Sequence, residues 1–152
     1  MSLKDELKLG ENINITKKSI VHLMFIGDYI LNEVNSVLKP YQLSNQQYNV
    51  LRILRGQKGA SVSLADIQSR MIHKNSNTTR LIDKLVTKRL VSKKTDPKNR
   101  RKVKIAISQA GLDVLVTLDP IIETIENQMM KHLSETEHKT LNDFLERLRL
   151  NK

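Results

Sequence analysis

The side chains with the most to offer chemically are basic, and they are gathered in one place. Between residues 68 and 104 stand Arg70, Lys74, Arg80, Lys84, Lys88, Arg89, Lys93, Lys94, Lys98, Arg100, Arg101, Lys102 and Lys104, against only Asp83 and Asp96. That stretch carries +11, whereas the rest of the 152-residue chain nets −1. A cationic field this concentrated suits a polyanion partner. A solvated surface that serves only solubility is the other reading of charge alone.

Other chemistries find little support. The sequence has no Cys, which excludes disulfides, thiolate catalysis, Cys-based zinc sites and thiol redox sensing. The histidines, His22, His73, His132 and His138, lack the spacing of a zinc site, so no metal is expected. Nothing places a serine nucleophile on a strained turn beside a base, so neither an enzyme nor a cofactor is expected. Aromatic residues make up 3% of the chain, too few for a platform that stacks single-stranded bases. No apolar run approaches the ~18 residues of a membrane span. The N-terminus, MSLKDELKLG, lacks the apolar stretch of a signal peptide, and a cytoplasmic protein is expected.

Periodicity identifies the elements that would hold the basic segment. Ile20, Leu23, Met24, Gly27, Ile30, Leu31, Val34, Val37 and Leu38 recur at three- and four-residue steps, which predicts a helix over 17–39 ended by Pro40. Its apolar stripe is long for so small a protein and must be covered. Ser44 and Gln47 form a capping-box pattern that opens a second helix, closed by Gly56 and Gly59. After an extended link at 61–64, Ser63 with Asp66 caps a short helix ending near Met71.

A polar turn at 72–75 leads to a helix over 76–88 with Thr78, Leu81, Ile82, Leu85 and Val86 inward. Ser76, Arg80, Asp83, Lys84 and Thr87 then face outward, with Asn77 at the edge. Val103, Ile105 and Ile107 alternate with polar neighbours, which is strand spacing, and 91–95 supplies an antiparallel partner. Asp96-Pro97-Lys98-Asn99 is turn chemistry, so the tip of the hairpin presents Lys98, Arg100 and Arg101. Ser108 starts another helix that Pro120 should kink or break, and Ser134 with Glu137 opens the last one.

The order helix, short helix, turn, polar-faced helix, basic hairpin describes a mainly α fold with a small β-hairpin wing: a winged helix-turn-helix. A helix of about 12 residues fits the major groove, where its outward N-terminal side chains reach base edges. Arginines on a two-stranded arm suit the phosphates or a narrow minor groove. Asn75, Ser76, Asn77, Thr79, Arg80 and Lys84 are the candidate recognition residues, with Arg80 the best candidate for a guanine. An ion pair between Arg80 and Asp83 within the helix is its alternative role. Lys74, Lys88, Lys93 and Lys94 are candidate phosphate contacts, and each singly is also ordinary surface charge.

From Leu43 to Gly111 the sequence resembles the multiple-antibiotic-resistance regulator (MarR) family of winged-helix transcription factors. The resemblance rests on Leu43-Ser44, Val50-Leu51, Leu64-Ala65, Thr79-Arg80-Leu81-Ile82-Asp83-Lys84-Leu85, Asp96-Pro97-Lys98-Asn99-Arg100-Arg101 and Ile105-Ala106-Ile107-Ser108. It implies a homodimeric, double-stranded-DNA-binding regulator, repressor or activator, with a pseudo-palindromic site. Residues 1–42 and 111–152 would supply the dimerisation helices, and 43–110 the DNA-binding lobe. It also implies a pocket for a small-molecule effector between lobe and arm, for which His22, Tyr29 and Tyr48 are candidate polar rims; ordinary packing is the other reading of each. Three positions depart from the family pattern: Asn99 replaces an Asp of the wing, Arg89 stands where a Gly often follows the recognition helix, and Pro120 interrupts what is usually one long helix. A left-handed Arg89 would cost about 1 kcal/mol. A basic helical module that binds an acidic protein is the competing function.

Overall fold

The computed structural model describes residues 3–8, 10 and 12–150, with the backbone only at Leu3, Lys4, Arg100 and Arg101. A short α1 (Leu3–Glu6) precedes α2 (Ile15–Leu38), which Asn14 caps through its side-chain oxygen, an acceptor for the Thr16 N–H at 2.8 Å. Pro40 converts the end of α2 into a 3-10 turn over Lys39–Tyr41 that closes on Gln42 in a left-handed conformation, φ 55°. Then follow α3 (Asn45–Arg55), α4 (Leu64–Arg70), α5 (Thr78–Thr87), β1 (Val91–Asp96), β2 (Asn99–Ile107), α6 (Gln109–Met130) and α7 (Glu135–Arg149).

The predicted caps form. Ser44–Gln47, Ser63–Asp66 and Ser134–Glu137 are complete capping boxes, each satisfying two otherwise orphaned N–H groups. The Ser63 hydroxyl, and then its N–H, hold the Asp66 carboxyl below the usual carboxylate range. Pro120 breaks nothing: α6 runs unbroken across it. Proline forfeits one intrahelical bond, to the carbonyl of Val116, and that residue is well exposed, so water can take the bond's place.

The core gathers Leu38 from α2, Leu51 and Leu54 from α3, Ile67 and Met71 from α4 and its cap, Ile82 and Leu85 from α5, Ile105 from β2, and Leu115 and Leu118 from α6. Each is at most 1% exposed, and burying such a side chain fully contributes roughly 1.5–3 kcal/mol. This one cluster therefore locks α4 and α5 to the hairpin and to the first half of α6.

The hairpin is antiparallel, with Val91 opposite Ile107, Lys93 opposite Ile105 and Thr95 opposite Val103. The register shifts between Thr95 and Asp96, where Asp96 pairs with Asn99 and residues 100–102 bulge from the ladder. The extended link after α3 is tied to the sheet: Val62 and Ile105 exchange two N–H···O bonds of 2.9 Å.

Candidate nucleic-acid interface

The approach to α5 is braced from three sides. Asn49 on α3 accepts the Ile72 N–H at 2.9 Å. Gln68 on α4 donates to the Lys74 carbonyl at 2.7 Å and accepts from the Thr78 hydroxyl, so one amide joins α4, the turn and the first residue of α5. Lys74 donates to the Ser69 carbonyl at 2.6 Å. None of these roles is written in local sequence, because each depends on residues brought together by packing.

Asn77 is the N-cap of α5: its side-chain oxygen accepts the Arg80 N–H at 3.1 Å. The helix thus begins at Thr78, two residues later than predicted. Ser76 does not belong to the outer face. It lies ahead of the cap, and its hydroxyl is buried with no hydrogen-bond partner among the described residues. Asn75, Asn77, Thr79, Arg80, Asp83, Lys84 and Thr87 are exposed.

The Arg80–Asp83 pair does not form. Asp83 accepts instead from Lys93 on β1 at 2.8 Å, which ties helix to hairpin and leaves the Arg80 guanidinium without an ionic partner among the described residues. Lys93 is therefore engaged within the chain. Lys88 is too, donating to the Gln42 carbonyl. Lys94 and Lys98 are exposed, and the Lys98 N–H donates to Asp96 at 2.9 Å in the turn. The Arg100 and Arg101 side chains lie outside the described residues; their backbone sits in the bulge beside the tip. Lys94 and Lys104 face each other across the strands, so two cations share the solvent side of the hairpin.

The α5 helix ends as the Arg89 position foretells. Arg89 is left-handed, φ 59°. Its N–H donates to Val86 at 2.8 Å and the next N–H, of Leu90, donates to Leu85 at 3.0 Å, the paired bonds of a Schellman closure.

The chain also holds a second candidate site. A cavity of about 380 Å³ opens between α2, α3 and α6, lined by Tyr48, Asn49, Arg52, His73, Ile122 and Glu126 among others. Tyr48 is buried there with the Arg52 guanidinium 5.8 Å from its ring centre. Burial pushes the Tyr48 phenol up, so it stays a neutral hydroxyl at physiological pH. His22 and Tyr29 are exposed on α2 and do not line this cavity, so of the three predicted rim residues it takes only Tyr48. Arg52, His73 and Glu126 were not foreseen as lining residues, because three different segments supply them.

A three-helix lobe with an antiparallel arm behind its polar-faced helix defines a winged helix-turn-helix protein. Residues 43–103 match the model of the MarR family. The chain is 30% identical over 104 residues to the HTH-type transcriptional regulator BilQ of Clostridioides difficile (strain CD3), covering 68% of this chain and 69% of that one. It superposes on a MarR transcription factor from Planctomyces limnophilus with TM-score 0.70 and 29% identity, covering 88% of this chain and 97% of that one. It also superposes on Bordetella bronchiseptica BpsR with TM-score 0.78 and 20% identity, covering 90% and 96%. The chain belongs to the MarR family of transcriptional regulators.

Proposed function

We propose that this protein is a homodimeric, sequence-specific double-stranded-DNA-binding repressor released by a small-molecule effector. The observation that carries the reading is the outer face of α5, where Arg80 is exposed and unpaired among the described residues beside Asn77, Thr79 and Lys84. An exposed guanidinium on a helix of this size meets the two acceptors of a guanine in the major groove. Asn75 and Asn77 flank it. Lys94 and Lys98, which carry no bond within the chain through their ammonium groups among the described residues, supply phosphate contacts, and Arg100 and Arg101 reach the minor groove or its phosphates.

The second cavity supports the effector. Its volume falls in the range of small-ligand sites, and Arg52, the neutral Tyr48 hydroxyl and His73 suit a small aromatic acid or phenol. DNA binding by the structural relative BpsR is regulated by 6-hydroxynicotinic acid.

A gel-shift assay against the region upstream of the protein's own gene, with random duplex as competitor, tests the reading. A retained shift, and half-sites about one helical turn (~34 Å) apart, are expected. Replacing Arg100 and Arg101 together with Ala should weaken binding to every duplex. Equal affinity for specific and random duplex would instead favour a basic module for an acidic protein.

A further inference from the structure

The hairpin flanks α5 on the side of Asp83. The opposite flank holds an open groove of about 690 Å³ where the end of α2, the 3-10 turn, the start of α3 and the end of α5 converge. Lys39, Lys84 and Lys88 line it together with Gln42, Ser44 and Thr87, and none of its lining residues is acidic.

Arg80, Lys84, Thr87 and Lys88 share one face of α5, being four, seven and eight residues apart. With a rise of about 1.5 Å per residue, Lys84 lies ~6 Å and Lys88 ~12 Å along the axis from Arg80. The major groove is ~12 Å wide, so a helix that puts Arg80 on a base edge carries its later turns to the phosphates bordering the groove. Lys88 is held inward by its bond to Gln42, which leaves Lys84 and Lys39 as the cations available to a ligand. Lys39 belongs to neither the recognition helix nor the wing, and only folding brings it beside Lys84.

We propose that this groove grips the phosphodiester backbone of duplex DNA through Lys39 and Lys84, on the side of the recognition helix away from the wing. The inference rests on the DNA-binding reading and extends its footprint. A lysine that merely complements the end of its own helix is the competing role, and it leaves DNA binding unchanged.

The test needs no operator, because phosphate contacts ignore sequence. Affinity of the full-length protein for a random 30-bp duplex would be titrated across KCl concentrations by fluorescence anisotropy. Each phosphate contact contributes about 0.9 to the log–log slope. The double variant Lys39→Gln, Lys84→Gln should lower the slope by about 1.8, so its affinity loss between 50 and 200 mM salt shrinks roughly tenfold. Lys39→Arg, Lys84→Arg should keep the wild-type slope. Lys131→Gln, which removes one charge at the far end of α6, should keep it as well. A wild-type slope in the double Gln variant, with unchanged circular dichroism, overturns the inference alone. A wild-type protein with no salt-dependent affinity for duplex overturns both the function proposed above and this extension of it.

Discussion

Arg80 reaches solvent because Asp83, the acid nearest to it on α5, is taken by Lys93. The Asp83–Lys93 pair is solvent-exposed enough to be worth about 1 kcal/mol at most, so its value is orientation more than stability. Replacing Arg80 with Ala should leave the melting temperature near that of the wild type. It should cost ~1–3 kcal/mol of discrimination at one operator position, read by competition against single-base variants of the site. A uniform loss across all variants would demote Arg80 to a phosphate contact. The exposure of Arg80 was legible from its place opposite Leu81, Ile82 and Leu85. The fate of its neighbours was not. Ser76 and Asn77 are both competent caps, and sequence alone does not say which one opens the helix. Gln68 looks like any polar helix residue until packing sets its amide between Lys74 and Thr78.

At the level of the elements, one backbone conformation and one close approach fix how α5 hands over to the sheet and to α6. Arg89 holds a left-handed conformation that a side chain with a Cβ adopts at a cost. Arg89→Gly should therefore stabilise the fold by about 0.5–1 kcal/mol, seen as a higher urea midpoint with unchanged slope. No gain would mean that the contacts of the arginine stem offset the strain. Gly111, in the first turn of α6, works the other way. A Cβ there would stand 2.3 Å from the Leu90 carbonyl oxygen and 2.7 Å from Ile107 Cγ1. Backbone and a packed core side chain cannot both retreat, so Gly111→Ala should cost ~3 kcal/mol or more and lower the melting temperature by over ~5 °C. Periodicity and capping boxes made these helices readable, because both signals are local. The Val62–Ile105 bridge was hidden, since a single residue pairing across 43 positions leaves no periodic trace. That Pro120 does not break α6 was hidden for a related reason. The packing of Leu115, Leu118 and Ile122 on the core holds the helix together on both sides of the proline.

For the whole molecule, the apolar surface left uncovered is as informative as the core. Ile20, Leu23, Met24, Ile26 and Ile30 of α2 are exposed, and so are Phe144, Leu145 and Leu148 of α7, a helix with no buried residue. A single chain gains little from helices that leave these faces in water, whereas two copies related by a twofold axis can cover both at once. The sequence showed this surplus as stripes longer than one small lobe could bury, but not which faces remain open. In the proposed dimer the same contact sets the spacing of two recognition helices on one duplex. The wild-type protein should sediment at twice 17.5 kDa at micromolar concentration. Phe144→Lys with Leu148→Lys should shift it toward the monomer while the lobe, whose core includes neither residue, keeps its fold. Linking two reading heads raises affinity by roughly 10²–10⁴ through effective concentration alone, so the monomer should lose about that factor on a two-half-site operator. On a single half-site, where only one head engages, it should lose far less. Equal losses on both sites would place Phe144 and Leu148 in the DNA contact itself, and a monomer that held its full affinity for the paired site would remove the dimer from the account of recognition.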